Sequence, residues 1–457
     1  MKKPKKLLRR GAEAPAEFLD RTIVVSQAIS SDLITNKVVK KTGAYWHMLG
    51  PGLTTGASDD DPSGIATYSQ VGAKYGFQLL WLAPLTFPLM AIVQEMCARI
   101  GMVTGRGLAG NIRVHYNRHL LYLCTTLLFA ANALNIGADL GAMAKAVQLL
   151  NPQLNFGMLV VGMALLSLML QIFTPYVRYA RYLKWLALVL LSYVFSAIMA
   201  NLDWSDVLRH AVVPTIQFSK EQMFIICAIL GTTISPYLFF WQTSQEVEEQ
   251  ILQGKTTLHE RRTVTSKTDI KSMRIDVWTG MLLSNLVMFF IIAACGALLY
   301  SNGITEIKTT AQAAQALRPF AGDATYFLFS IGIIGTGLLA IPVLAGSSSY
   351  AIAESFRWRE GLYRNLRQAY AFYGIIIISM LVGLGLNFVG IDPIKALIYA
   401  AVANGLVAPI ILFFIVSMSS NKKIMGRWVN KRYVTAIGWL VTLLMMAAGV
   451  AAIISLV

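Results

Sequence analysis

Charged residues are scarce in this sequence of 457 residues, where they make up 14% of the chain. A soluble domain carries about 25% charged residues, so the composition excludes a single soluble domain, and its apolar excess excludes a disordered chain. Cysteine is also rare. The four cysteines fall inside apolar runs and form no CxxC pair, so neither a zinc ribbon nor a disulfide framework is indicated.

Motifs of hydrolytic enzymes are missing as well. Neither HExxH nor GxSxG occurs, and the five histidines lie at predicted helix ends or in loops. No Ser, His and Asp triad can be assembled from them. We therefore expect a protein that is not an enzyme and has no cofactor. The first forty residues or so are polar and basic and lack an early apolar run, so we expect no cleaved signal peptide.

Hydrophobic residues, by contrast, make up 56% of the chain and occur in long runs. A helix of about 20 apolar residues spans the hydrocarbon core of a bilayer. Eleven runs predict transmembrane helices, at residues 46–73, 77–101, 119–148, 154–174, 180–201, 222–246, 276–300, 324–354, 368–389, 393–418 and 433–456. The sequence therefore predicts an all-α polytopic membrane protein in contact with lipid.

Basic residues give the chain a formal net charge of +16. They gather in the N-terminal tail and in every second loop after it, at Lys2, Lys3, Lys5, Lys6, Arg9, Arg10, Arg106, Arg113, Arg118, Arg178, Arg181, Lys184, Lys255, Arg261, Arg262, Lys267, Lys271, Arg274, Arg357, Arg359, Arg364, Arg367, Lys422, Lys423, Arg427, Lys431 and Arg432. This alternation is typical of cytoplasmic loops and not of nucleic-acid binding. We expect a protein of the cell membrane, with its N-terminus cytoplasmic and its C-terminus extracellular.

The first apolar run is interrupted by the segment Gly-Ala-Ser-Asp-Asp-Asp-Pro-Ser-Gly at residues 56–64. Each carboxylate costs several kcal/mol in mid-membrane, and Pro62 removes a hydrogen bond of the helix. Such a segment is tolerable where it lines a water-filled cavity or binds a cation. An external loop between two short helices is the alternative, although each flank alone is too short to span.

The sixth apolar run is interrupted in the same way, from Gly231 to Pro236. A simple proline kink would explain this break alone. The two breaks lie five helices apart, however, and an inverted repeat of five plus five helices places corresponding broken helices face to face. We therefore expect a tail at 1–45, a first repeat at 46–201, a second repeat at 202–418, and a loop with an eleventh helix at 419–457.

Several motifs in these helices resemble a known family. The segment Asp61-Pro62-Ser63-Gly64, with Gln94 and the sequence Ala-Arg-Ile-Gly at 98–101 in the second helix, resembles the natural resistance-associated macrophage protein (Nramp) family of divalent-metal transporters. Residues 231–236 resemble the family's second binding motif, and 346–349 resemble part of its eighth helix. The resemblance runs over most of residues 45–420 and implies a LeuT-type fold.

The departures from the family pattern are informative. Gly64 stands where the family has an Asn ligand, Ser235 where it has a Met whose thioether contacts transition metals, and Tyr237 where it has a His used in proton movement. A thioether favours softer metals, and its loss leaves the Asp61 carboxylate, backbone carbonyls, and the hydroxyls of Ser235 and Thr232. We predict a metal site at Asp61, Gly64, Ser235 and Thr232.

This oxygen-only set suits Mg²⁺, which usually keeps several waters and binds one or two carboxylates. The smaller side chains also predict a wider cavity. We therefore expect partly hydrated Mg²⁺ as the transported ion, within a magnesium-transporting subgroup of the family, with Mn²⁺ as a competing substrate. Because histidines are confined to helix ends and loops, we expect transport that is not coupled to protons.

Further polar residues are predicted to line the site: Ser58, Asp60, Tyr237, Asn132, Asp139 and Asn404. Asp59 and Asp60 are expected either to line an outer vestibule or to cap the unwound segment and meet solvent. Asn404 faces either the cavity or a neighbouring helix through a hydrogen bond. Two other functions stay open, namely a proton-coupled Mn²⁺/Fe²⁺ transporter of the same family and an amino-acid transporter of the same fold. The oligomeric state also stays open, a monomer included.

Overall fold

The computed structural model of the chain describes residues 50–174, 188–200, 202–263 and 265–456. The predicted tail at 1–45 lies outside these ranges, as do the basic residues Arg178, Arg181 and Lys184 of the predicted fourth-to-fifth loop.

The described chain is built of helices. Those of six or more residues are α1 (Pro51–Asp59), α2 (Pro62–Tyr75), α3 (Leu82–Thr104), α4 (Leu108–His115), α5 (Arg118–Leu150), α6 (Phe156–Phe173), α7 (Leu191–Met199), α8 (Trp204–Val212), α9 (Lys220–Thr233), α10 (Pro236–Leu252), α11 (Leu258–Thr263), α12 (Lys267–Leu298), α13 (Thr325–Phe356), α14 (Tyr370–Leu386), α15 (Pro393–Ser419) and α16 (Arg432–Leu456). Short helical turns join α12 to α13 and α15 to α16.

Eight helical stretches in the described ranges are long and apolar enough to cross a membrane. They are Leu82–Thr104, Arg118–Leu150, Phe156–Phe173, Lys220–Leu252, Lys267–Asn302, Thr310–Phe356, Pro393–Ser419 and Arg432–Ser455. Helix α14 is a shorter apolar helix, and each of the eleven predicted runs contains helix. The prediction of an all-α polytopic membrane protein is confirmed.

The polar ends of these helices extend beyond the apolar runs. Helix α12 begins at Lys267, well before residue 276 where the apolar run begins. Ser266 and Asp269 form a capping box there, in which each side chain accepts a hydrogen bond from the other residue's backbone N–H. This reciprocal pairing satisfies donors that a helix start leaves open, so it begins the helix in a polar segment.

Both interruptions are at proline residues. Helix α1 ends at Asp59, and α2 begins at Pro62 with Asp61 as its N-cap. Helix α9 ends at Thr233, and α10 begins at Pro236 after Ser235. Proline at the first position of a helix loses no hydrogen bond, and its fixed φ suits a helix start. The same residue type therefore starts α2 and α10 while preventing continuation of α1 and α9.

Glycines allow the broken helices to lie very close to their neighbours. A Cβ at Gly56 would lie 2.2 Å from the Gly280 carbonyl oxygen of α12, and a Cβ at Gly231 would lie 2.0 Å from the Ala401 carbonyl oxygen of α15. No side chain fits at such distances, so backbone meets backbone. The two interruptions are thus held between the long helices α12 and α15, with α5 and α13 packed beside them.

Candidate metal site

Asp61 occupies the interruption between α1 and α2. Its Oδ1 accepts a hydrogen bond of 2.7 Å from the Gly64 N–H, as expected of an N-cap carboxylate. Its Oδ2 is buried and has no hydrogen-bond partner in the described residues. An ionised carboxylate is costly inside a membrane protein unless it is paired. The Asp61 Oδ2 atom is therefore a ready acceptor for a cation.

The two interruptions meet at this point. A Cβ placed on Gly64 would lie 3.1 Å from Thr232 Oγ1 of α9, so Gly64 and Thr232 are neighbours across the break. The Tyr237 hydroxyl of α10 donates a hydrogen bond of 3.2 Å to the Ser58 carbonyl oxygen at the end of α1. Residues from both broken helices thus surround the same volume.

Ser235 lies at the second interruption but turns back onto its own chain. Its hydroxyl donates to the carbonyl oxygens of Gly231 and Thr232, at 2.9 and 2.7 Å. These carbonyls belong to the last turn of α9, where helices have unsatisfied acceptors. The Ser235 hydroxyl proton is therefore committed, while the lone pairs of its oxygen keep their acceptor capacity.

Asp59 and Asp60 are buried against α12 in the structure. The Ser284 hydroxyl of α12 contacts both carboxylates, at 2.6 Å from Asp59 Oδ2 and 3.2 Å from Asp60 Oδ1. Asp59 is 0% exposed, and Asp60 is 4% exposed. The expectation that they meet solvent is wrong for this structure, because the end of α1 turns both carboxylates toward the Ser284 hydroxyl, a hydrogen-bond donor of α12.

Asn132 of α5 is buried against α13. Its Nδ2 donates to the Leu344 carbonyl at 3.0 Å and lies 2.9 Å from the hydroxyls of both Ser347 and Ser348. No hydrogen bond joins Asn132 to Asp61 or Thr232 among the described contacts. It links two of the helices around the site and is not brought into contact with the predicted ligands.

Asp139 and Asn404 are fully buried, and the polar atoms of both side chains have no hydrogen-bond partner in the described residues. Asp139 lies within range of a coulombic interaction with Asp61. Asn404 does not form the interhelical hydrogen bond that was its alternative. Buried polar groups are normally satisfied, so both residues keep free hydrogen-bonding capacity within the described chain.

Sequence reasoning missed two residues here. Asn135 is buried, with both polar side-chain atoms unpartnered in the described chain. It lies one turn from Asp139 and near Asn132 along α5, at a spacing of three and four residues that marks one helix face. That spacing was a visible signal. Ser284 gave no such signal, because its partners lie more than 200 residues away in the chain.

The N-terminal end of α1 is fastened to α12 by Asp276. Its two carboxylate oxygens accept hydrogen bonds from the Gly52 and Leu53 N–H groups, at 2.6 and 3.0 Å. A carboxylate at a helix N-terminus also interacts favourably with the helix dipole. Thr55, one turn further along, donates to Gln242 of α10 at 2.5 Å. The start of α1 is thus held by both α12 and α10.

The donor set constrains what this site can hold. Among the described residues, no three Asp, Glu, His or Cys side chains form a group that could hold a metal ion. The described histidines lie elsewhere, at the end of α4, the start of α5, in α8 and in α11. A cation here would be coordinated by Asp61 with hydroxyls, peptide carbonyls and water. All of these are hard oxygen donors.

Comparison with known proteins assigns the chain to a family. A model of the family described as natural resistance-associated macrophage protein-like (Nramp) matches residues 52–455. The divalent metal cation transporter MntH of Klebsiella pneumoniae subsp. pneumoniae is 27% identical over 404 residues, covering 88% of this chain and 92% of its own length. The MntH of Deinococcus radiodurans is 25% identical over 408 residues, covering 87% of each chain.

A solved structure shares the fold. The Eremococcus coleocola manganese transporter, crystallised with an aromatic bis-isothiourea substituted compound, superposes with a TM-score of 0.68 at 18% identity, covering 89% of this chain and 86% of that one. The expected LeuT-type fold is thereby confirmed.

Proposed function

The chain belongs to the natural resistance-associated macrophage protein-like family, and from this premise we propose that it takes up partly hydrated Mg²⁺, and Mn²⁺ as a competing ion, by alternating access around its two interrupted helices. The coarser function follows from the family. The chain is a membrane transporter of divalent metal cations and not an enzyme, and the metal is its substrate and not a cofactor.

One observation carries the proposal. Asp61 Oδ2 is buried and unpartnered within the described chain, and Asp61 caps the helix in which Gly64 neighbours Thr232 of the opposing break. The predicted ligand side chains there are the Asp61 carboxylate and the hydroxyls of Thr232 and Ser235, so the position of Ser235 supplies no thioether. Mg²⁺ prefers such oxygen donors and retains water in its coordination shell. Mn²⁺ accepts them as well, which is why it competes.

Transport without proton coupling is the second part of the proposal. A proton relay through a membrane protein usually uses a chain of acidic residues and histidines. Tyr237 stands at the position where the family pattern has a histidine, and its hydroxyl is bonded to the Ser58 carbonyl. The membrane potential alone then drives entry, at about 4.6 kcal/mol per 100 mV for a divalent ion.

A proton-coupled Mn²⁺ transporter is the second candidate, and Asp139 favours it. This carboxyl group is fully buried without a hydrogen-bond partner in the described residues, within coulombic range of Asp61. Buried carboxyl groups of this kind are typical of proton routes. Simultaneous measurement of metal entry and internal pH separates the two candidates.

The placement in the membrane also belongs to the proposal. The basic loops favour the plasma membrane, with a cytoplasmic N-terminus and an extracellular C-terminus. The two interrupted helices favour repeats at 46–201 and 202–418, after a tail at 1–45 and before a final segment at 419–457. A monomer contains both interruptions and therefore a complete site.

The test is uptake of Mg²⁺ and Mn²⁺ into proteoliposomes by the parent protein and by Asp61→Asn. The amide keeps an oxygen that accepts the Gly64 N–H, so α2 keeps its cap, while the charge is lost. We expect transport of both ions to be abolished. Asp203→Asn is the matched control, because Asp203 is an exposed N-cap of α8 that accepts the Ser205 N–H at 3.0 Å. Transport by a folded Asp61→Asn protein at the parent rate would refute the proposal.

A further inference from the structure

A separate cavity of about 510 Å³ lies among α4, α10, α11 and the segment that follows α13. None of the residues predicted for the metal site lines it. It lies on the side that the basic loops assign to the cytoplasm. Pockets of about 300–1,000 Å³ accommodate small-molecule ligands, so the cavity is of the size of a nucleotide and not of an ion.

Arginines dominate the walls of this cavity. The six that line it are Arg106, Arg113, Arg261, Arg357, Arg359 and Arg364. No ion pair between any of them and a carboxylate occurs in the described chain. Three are instead oriented by peptide carbonyls: Arg113 by Glu354 at 3.3 Å, Arg261 by Gly105 at 3.1 Å, and Arg364 by Glu360 at 3.0 Å. The guanidinium groups are positioned without being neutralised.

Two of the three glutamates that line the cavity, Glu354 and Glu248, are engaged with neutral donors. Glu354 accepts from the Gly110 N–H at 2.7 Å and from the Ser244 hydroxyl at 3.2 Å. Glu248 accepts from the Leu362 N–H at 2.5 Å and from the Tyr350 hydroxyl. These two carboxylates are therefore satisfied without the arginines, whereas Glu360 Oε2 is buried and has no hydrogen-bond partner in the described residues.

Two titratable groups near the arginines have shifted pKa values. Burial raises the pKa of Glu360, the neighbouring Glu354 and Glu248 raise it further, and Arg364 and Arg261 lower it. A higher pKa makes this carboxyl group less negative near neutral pH. Burial lowers the pKa of His115, and the adjacent Arg106 and Arg262 add to that effect.

The end of α13 brings three of the lining residues together. Arg357 has φ 58° and is the one non-glycine residue with positive φ in the described chain. This left-handed conformation is unfavourable for an L-residue, and it ends the helix so that Trp358 and Arg359 follow directly along the cavity wall. Trp358 is 42% exposed and stacks on Phe356 with ring centroids 5.0 Å apart.

We propose that this cavity is a binding site for a polyphosphorylated anion of nucleotide size. Guanidinium groups match phosphate oxygens in a bidentate geometry, and they remain charged at every physiological pH. An exposed tryptophan provides a flat surface on which a nucleobase stacks. The phosphate chemistry is shared by a soluble nucleoside triphosphate and by the head group of a phosphorylated lipid.

The test is binding of ATP to the purified full-length protein in detergent, in a metal-free buffer and with inorganic triphosphate as competitor. We expect ATP to bind and triphosphate to displace it. The double variant Arg357→Gln with Arg359→Gln should bind at least about tenfold more weakly, because each lost charge-assisted hydrogen bond costs about a factor of ten. The double variant Arg357→Lys with Arg359→Lys keeps both positive charges but loses the bidentate geometry of the guanidinium groups. Its loss of ATP affinity should therefore be intermediate.

Lys422→Gln with Lys423→Gln is the matched control, since these exposed residues belong to another basic loop and do not line the cavity. Its ATP affinity should equal that of the parent. A second arm uses phosphatidylcholine vesicles that contain a phosphorylated inositol lipid. Binding to these vesicles that depends on Arg357 and Arg359, without ATP binding, would assign the same chemistry to a lipid. Failure of both probes to bind, or an equal loss in the control, would overturn the proposal. Neither arm requires transport.

Discussion

Removal of the Asp276 carboxylate should release the start of α1. In Asp276→Ala the Gly52 and Leu53 N–H groups lose acceptors at 2.6 and 3.0 Å. A hydrogen bond to a charged group contributes about 1.5–3 kcal/mol, so two such bonds at the lower end contribute about 3 kcal/mol to the attachment of α1. That difference corresponds to a change of roughly 150-fold in the equilibrium between attached and released α1.

Labelling of a cysteine at Ser58 measures this release. Ser58 is fully buried, and its hydroxyl donates to the Thr54 carbonyl of the preceding turn at 2.9 Å, so Ser58→Cys is a small change in size. The native cysteines in the chain are all buried. We expect a water-soluble maleimide to react with Cys at position 58 much faster in the Asp276→Ala background. Asp276→Asn keeps one oxygen acceptor and should show an increase of roughly tenfold.

The control for this series is Asp269→Ala. Asp269 also lies on α12, where it belongs to the capping box, and its described hydrogen bonds are with Ser266 and not with α1. Its loss should leave the labelling rate unchanged. Equal rates in the parent and Asp276→Ala proteins would refute the claim that this carboxylate holds α1 in place.

Three further outcomes are expected. Ser235→Met adds a softer thioether ligand and should shift the preference in proteoliposomes toward Mn²⁺; an unchanged Mg²⁺ to Mn²⁺ ratio would contradict the ligand argument. Liposomes loaded with a pH-sensitive dye should not acidify in step with Mg²⁺ entry, and acidification would favour the proton-coupled alternative. Gly231→Ala places a Cβ 2.0 Å from the Ala401 carbonyl oxygen and should lower the free energy of unfolding by about 1–3 kcal/mol. Gly374→Ala, in a helix with nothing within 4 Å, should instead raise it by about 0.5–1 kcal/mol, and thermal unfolding in detergent compares the two.

The sequence predicts the helices and their interruptions because the signals are local. Apolar runs indicate the membrane-spanning helices. Pro62 and Pro236, which indicate the interruptions, lie at the first positions of α2 and α10. The polar start of α12 was missed, since a search for apolar runs cannot register the capping box at Ser266 and Asp269.

The partners of the buried polar groups could not be predicted in the same way. Ser284 lies about 225 residues from Asp59, and Asp276 lies 224 residues from Gly52. Such contacts depend on how the helices pack, and a single sequence does not encode that packing in any local pattern. The orientation of Asp59 and Asp60 was therefore predicted wrongly, although the carboxylates themselves were recognised.

The proposed double role of Asp61, as the cap of α2 and as an ion ligand, has a consequence for how tightly an ion would be held. One oxygen is fastened to the backbone at the start of α2, so the direction of the other is inherited from the main chain and not from a freely rotating side chain. The Asp61 side chain would then lose little rotational freedom when an ion binds. Any bending at the gap between α1 and α2 would also move that oxygen. In the proposed mechanism, the same backbone movement would therefore govern both binding and release of the ion.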